Sequence, residues 1–143
     1  MILAAAQVVF MLFIILFLNR QPPMLTELKQ RYHRLIKILR DSRDPTWIPV
    51  LRPSIITGIY GRKDGVIGSN VNKGYEIYIC MDGDDVNSAM YVLIHELAHM
   101  SVPEYDHTDL YWENFKKLKA ICVQNGLYQD AGSRTYCGEQ IHE

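Results

Sequence analysis

The chain has 143 residues and a formal net charge of -1, enough for one small hydrophobic core and too balanced to present a global basic field to nucleic acid. Its three cysteines, Cys80, Cys122 and Cys137, include no Cys-x-x-Cys pair. That argues against a cysteine-held zinc and makes a poor disulfide framework; they are read as reduced thiols, with a Cys122–Cys137 bridge as the alternative.

Residues 1–18, MILAAAQVVFMLFIILFL, are apolar except for Gln7. At about 1.5 Å per residue this run just spans a hydrocarbon core. A cleaved secretory signal would carry basic residues before the run and small residues after it. Here the basic residues follow, and Asn19-Arg20-Gln21-Pro22-Pro23 is no cleavage site, so an uncleaved anchor through residues 1–19 is expected. The positive-inside rule then places the rest on the cytoplasmic, or virion-interior, side of a single-pass membrane protein. A domain this small has little room to bury such a helix instead.

Pro22-Pro23 ends the apolar run. Residues 20–44 read as a basic amphipathic helix. Leu25, Leu28, Tyr32, Leu35 and Leu39 recur on one face with Lys29, Arg34 and Lys37 off it, a pattern of core packing with a solvated basic side. An irregular, proline-containing connector follows. Residues 55–60 and 66–71 read as short strands around a Gly61-to-Gly65 turn. Asn72-Lys73-Gly74 turns into a third strand at residues 75–81. The acidic stretch from Asp82 to Asp85 opens a helix over residues 86–101. A last helix is predicted over residues 109–124, stopped by Asn125-Gly126. Residues 129–143 are polar and aperiodic, and read as a surface tail.

The helix over residues 86–101 carries His95-Glu96-Leu97-Ala98-His99. A helix turns about 100° per residue, so the two histidines lie about 40° apart and one turn apart, placed to share one Zn2+. Glu96 lies beside them, where it can act as general base on a water. Val86, Met90, Leu93, Leu97 and Met100 cluster on the opposite face, which leaves the histidine face free to line a cleft. A catalytic zinc takes a third protein ligand. His107 is the best candidate because a short loop after Pro103 can return it to the metal; Glu104, Asp106, Asp109 and Glu113 are the rivals. His33 and His142 read as surface histidines. Tyr105 or Tyr111 could donate to an oxyanion, with core packing favoured for Tyr111, and Asp106 or Asp109 could orient an imidazole.

Three segments in order resemble the WLM metallopeptidase family, related to the SprT/Spartan-type zinc proteases. They are Ile67-Gly68-Ser69-Asn70-Val71-Asn72-Lys73-Gly74 with the strand after it, the zinc helix from Val92 to His99, and His107-Thr108-Asp109-Leu110-Tyr111-Trp112. The resemblance implies His95, His99 and His107 as ligands, Glu96 as general base and peptide hydrolysis. It also implies an α+β fold of minimal zincin type over residues 45–128, with a small antiparallel sheet packed on the H-E-x-x-H helix and substrate aligned along an edge strand near residues 75–81. Relatives of this kind are associated with cleaving proteins crosslinked to DNA. The strand over residues 75–81 has no basic residue, so direct nucleic-acid binding is not expected here. The expected partners are a lipid bilayer through residues 1–18, a protein or peptide substrate, and a larger protein assembly. A small anchored member of this kind suits a large DNA virus. The rival reading is a non-catalytic, zinc-stabilised structural protein.

Overall fold

The computed structural model describes residues 2–61 and 64–142. Helix α1 (Ile2–Leu18) stands apart from the core: its apolar side chains are exposed, Val9 at 67% and Phe13 at 64%. Among the described residues no single helix is long and apolar enough to cross a membrane. Residues 3–18 together with the next helix pass as a pair by length and composition, but that pair is bent by 63° at the proline break.

Helix α2 (Pro23–Ser42) starts on Pro23, whose missing N–H costs nothing in a first helical turn. The expected apolar face is buried, with Leu28, Leu35 and Leu39 at 1% exposure or less. This face packs against the helix that bears the histidines, so α2 belongs to the same core. The connector is ordered as a 3-10 helix (Pro45–Leu51), capped by the Asp44 side chain and burying Trp47 and Val50.

Strands β1 (Ile55–Ile59), β2 (Gly68–Val71) and β3 (Glu76–Cys80) form one sheet in the order β1-β3-β2. The expected all-antiparallel sheet is corrected to a mixed one: β2 pairs antiparallel with β3, whereas β1 pairs parallel with it. The physical reason lies in the two turns. Asn72 and Lys73 take φ of 50° and 53° and Gly74 takes 95°, a left-handed run that closes β2 tightly onto β3. The connection from β1 to β2 instead crosses to the other side of β3. A second correction follows from the strand order. The strand near residues 75–81 is central, and β2 is the edge that lies beside the histidine helix.

Helix α3 (Val86–Met100) is capped at its start by Asp85, whose carboxylate accepts from the Asn87 N–H. It is the hub of the fold, touching α2, the 3-10 helix, β2 and β3. Met90, Leu93, Leu97 and Met100 are buried as expected, and Val86 is partly buried. Helix α4 (Asp109–Gln124) has the predicted bounds and packs on α3.

The predicted surface tail is instead a hairpin of β4 (Arg134–Tyr136) and β5 (Glu139–Ile141), with Tyr136 and Ile141 buried. Cys137 and Gly138 form its two-residue turn, both at positive φ (50° and 85°), the geometry that matches strand twist in tight hairpins. The cysteine expectation is corrected with it. Cys137 is bonded to Cys80 at the end of β3, and Cys122 is the free thiol, fully buried in α4. The turn carries Cys137 to the end of the sheet, while the packing of α4 seals Cys122 away from both partners. Burial pushes the Cys122 thiol up to about 12, so it is an inert core group. The Tyr136 hydroxyl donates to the Cys80 carbonyl at 2.5 Å and fixes the hairpin at the same place.

Candidate metal centre

One face of α3 and the N-terminal approach to α4 bring His95, His99 and His107 together. One ligand atom from each lies within 4.8 Å of the others. His95 Nε2 and His107 Nε2 are 3.1 Å apart, close to the separation of roughly 3.3 Å for two nitrogens held tetrahedrally at about 2.0–2.1 Å from one zinc. The rival ligands are elsewhere: Glu104, Asp106 and Asp109 are exposed and outside this group, and Glu113 is paired with Lys117 at 2.6 Å.

The way His107 reaches the other two histidines follows from the chain around it. Thr108 caps α4 by accepting from the Tyr111 N–H at 3.2 Å, and this sets the direction of the residue before it. The His107 ring stacks on Trp112, with centroids 5.4 Å apart and planes at 28°. Tyr111 lies fully buried behind the cluster, its ring 4.5 Å from His99 and 4.7 Å from His107. Its hydroxyl donates to the His95 carbonyl at 3.2 Å. Tyr111 is therefore a support for all three imidazoles and is turned away from an oxyanion role. Tyr105, 78% exposed, lines the polar side of the cleft. Asp106 and Asp109 are both exposed, and neither belongs to the histidine group.

The Gly-x-Asn-x-Asn-x-Gly turn has a structural explanation. The Asn70 side chain accepts from the Gly74 N–H at 2.5 Å and donates to the Glu96 carbonyl at 3.0 Å, bolting the β2–β3 turn to the motif helix. A β-carbon on Gly74 would stand 2.3 Å from the Met100 side chain. Lys73 donates to the carbonyls of His99 (3.4 Å), Val102 (3.1 Å) and Glu104 (2.6 Å), and its ammonium sits 4.1 Å from the Tyr105 ring centre. One cation thus gathers the end of α3 and the loop that leads to His107. These roles escaped the sequence reading. The motif could be recognised, but only the folded turn shows which groups it joins.

Electrostatics suit a metal site. Burial, with neighbouring imidazoles, holds His95 down to about 4; burial, His107 and Lys73 do the same to His99. Both are neutral at neutral pH, the form that binds a metal. Glu96 is 6% exposed, and burial raises its carboxyl to about 7; a bound cation opposes that rise. Three converging imidazoles, an adjacent carboxylate and an open cleft make a donor set that fits zinc.

Glu96 and His95 border two recesses that meet at Gly68. One is a polar cavity of about 320 Å3 that also includes Asn70, Lys73, His99 and Tyr105. The other is a larger cavity of about 600 Å3 with mainly apolar walls. His142, read as a plain surface histidine, borders the second; His33 lies exposed against Tyr32, away from the site.

No family model and no solved structure matches the chain. A curated protein of Acanthamoeba polyphaga mimivirus, described only as uncharacterized protein R325, is 39% identical over 83 residues. The match covers 51% of this chain and 42% of the viral protein, so the chain spans less than half of that relative's length.

Proposed function

We propose that the chain is a membrane-anchored, zinc-dependent metallopeptidase of minimal zincin type, with His95, His99 and His107 as ligands and Glu96 as general base. The observation that carries this reading is the convergence of three histidine nitrogens within 4.8 Å beside a buried carboxylate on an open cleft. A site that only stabilised the fold would need no carboxylate there, which is why catalysis is preferred to the structural alternative.

When bound, zinc supplies Lewis acidity, which activates a water and polarises a scissile carbonyl. Glu96 accepts the proton from that water on a carboxylate oxygen and passes it to the leaving nitrogen. Edge strand β2 offers its outer side to an extended peptide, and Gly68 lets that strand lie close against Glu96. Tyr105 is the candidate donor to the oxyanion. The partner class is accordingly an unfolded or extended protein segment.

The exposed apolar surface of α1, followed by a basic helix, supports insertion in a lipid bilayer. The similarity to a mimivirus protein supports a viral setting. The test of the catalytic reading is zinc-dependent cleavage of a denatured protein that is lost in Glu96→Gln with zinc content unchanged.

A further inference from the structure

The apolar recess beside Glu96 is built differently from the polar one, and nothing in the hydrolytic chemistry requires it. Its walls come from four parts of the chain: Val66 and Ile67 before β2, Val92 on α3, Trp112 and Phe115 on α4, and Ile141 on β5. Its volume of about 600 Å3 lies within the range of roughly 300–1,000 Å3 typical of ligand sites. It is continuous with the reacting groups, because Gly68, His95 and Glu96 border it as well as the polar cavity. Lys116 and Lys119 stand at its border. The C-terminal hairpin closes it: Ile141 is buried, the Tyr91 hydroxyl donates to the His142 carbonyl at 3.2 Å, and Cys137 is bonded to Cys80.

We propose that this recess is the side-chain site for substrate, and that it selects a large, uncharged apolar residue such as phenylalanine or leucine beside the scissile bond. The inference rests on the metallopeptidase reading and adds its substrate class. A peptide laid along β2 passes from the polar cavity over Gly68, so one side chain flanking the bond at Glu96 falls into the recess. Apolar walls reward burial of a large hydrocarbon or aromatic group. Lys116 at its border disfavours a basic one, while Lys119 there is ion-paired with Asp130 at 3.7 Å. Because β5 supplies a wall, the hairpin that reads as a tail in the sequence takes part in specificity.

The test uses the full chain, zinc-loaded in detergent micelles, and peptides identical except for Phe, Ala or Lys at each position flanking a cleavage site mapped by mass spectrometry. At one fixed position, Phe should exceed Ala in kcat/KM by about tenfold or more, and Lys should be poorest. Gln140→Trp, an exposed substitution that narrows the recess, should collapse the Phe-over-Ala ratio towards one. A second readout needs no turnover. Trp112 borders the recess whereas Trp47 is buried at 1% exposure, so the tryptophan emission of the Glu96→Gln protein should shift with the Phe peptide and not with the Lys peptide. Cleavage without a Phe preference overturns this assignment and leaves the peptidase reading intact. Absence of cleavage together with a Phe-specific emission shift keeps the recess as a binding site and removes the catalytic reading. Absence of both overturns both.

Discussion

Gly68 on β2 lies directly over Glu96 on α3. A β-carbon at position 68 would stand 2.9 Å from the Glu96 carboxylate oxygen and 2.4 Å from Val92 Cγ1. The edge strand can lie against the Glu96 carboxylate only because this residue has no side chain. Gly68→Ala must push either the strand or the carboxylate aside. We expect kcat to fall by about tenfold to a hundredfold with zinc still bound, since small misplacements of reacting groups cost that much. Steady-state kinetics alongside metal analysis would show it; unchanged kcat would mean that the strand does not position Glu96.

Lys73 offers a separate test of how His107 is held beside the other two histidines. Its ammonium gathers three carbonyls between His99 and Glu104, so Lys73→Met should loosen the loop that delivers His107. The expected effect is a loss of zinc affinity of about tenfold or more, in the range seen when groups that orient ligands are removed. Competition with a chromophoric chelator measures it. An unchanged affinity would show that Thr108 and Trp112 suffice to place His107.

The fold was legible where periodicity and capping spoke. The α4 bounds, the buried face of α2 and the back of α3 follow from spacing alone, because a helix one turn longer or out of phase would expose leucines. Placement of His107 also followed, since Pro103 ends α3 and a short loop must turn back. Strand order did not, because a sequence shows where strands begin but not that the segment after β1 crosses β3. The hairpin over residues 134–141 was missed for a more local reason. Cys137-Gly138 fills a turn usually marked by Asn-Gly or Asp-Gly, and the aromatic Tyr136 and Ile141 were hidden among polar neighbours. The supporting roles of Tyr111, Trp112, Asn70 and Lys73 are contacts between distant segments, which spacing cannot supply.

The Cys80–Cys137 bridge closes a sequence separation of 57 residues and ties the hairpin to the sheet. Cys137→Ser should lower stability by about 2–4 kcal/mol, the usual range for such a crosslink, read as a reduced midpoint in urea. Thiol counting gives an independent check on the wild-type chain: one reactive thiol, Cys122, in denaturant without reductant and three after reduction. Three thiols before reduction would contradict the bridge. The bridge also bears on location, because disulfides persist in oxidising surroundings, whereas the basic residues after α1 favour a cytoplasmic domain.

The apolar surface of α1 predicts that the full chain floats with lipid vesicles in a density gradient, while a chain beginning at Gln21 remains at the bottom. Anionic lipid should strengthen binding through the basic residues of α2, and salt should weaken that added part. Equal flotation of both chains would place the membrane contact elsewhere.

The measurement that bears most directly on the central claim compares the zinc-loaded full chain with its Glu96→Gln variant, with zinc content and melting temperature recorded for both. The amide keeps the size of the side chain and removes its ability to take a proton. We expect about one zinc per chain in each, cleavage of a denatured protein by the parent, and a loss of at least about a hundredfold in the variant. Equal zinc and equal stability with no cleavage by either protein would contradict it, and the three histidines would then be a structural centre.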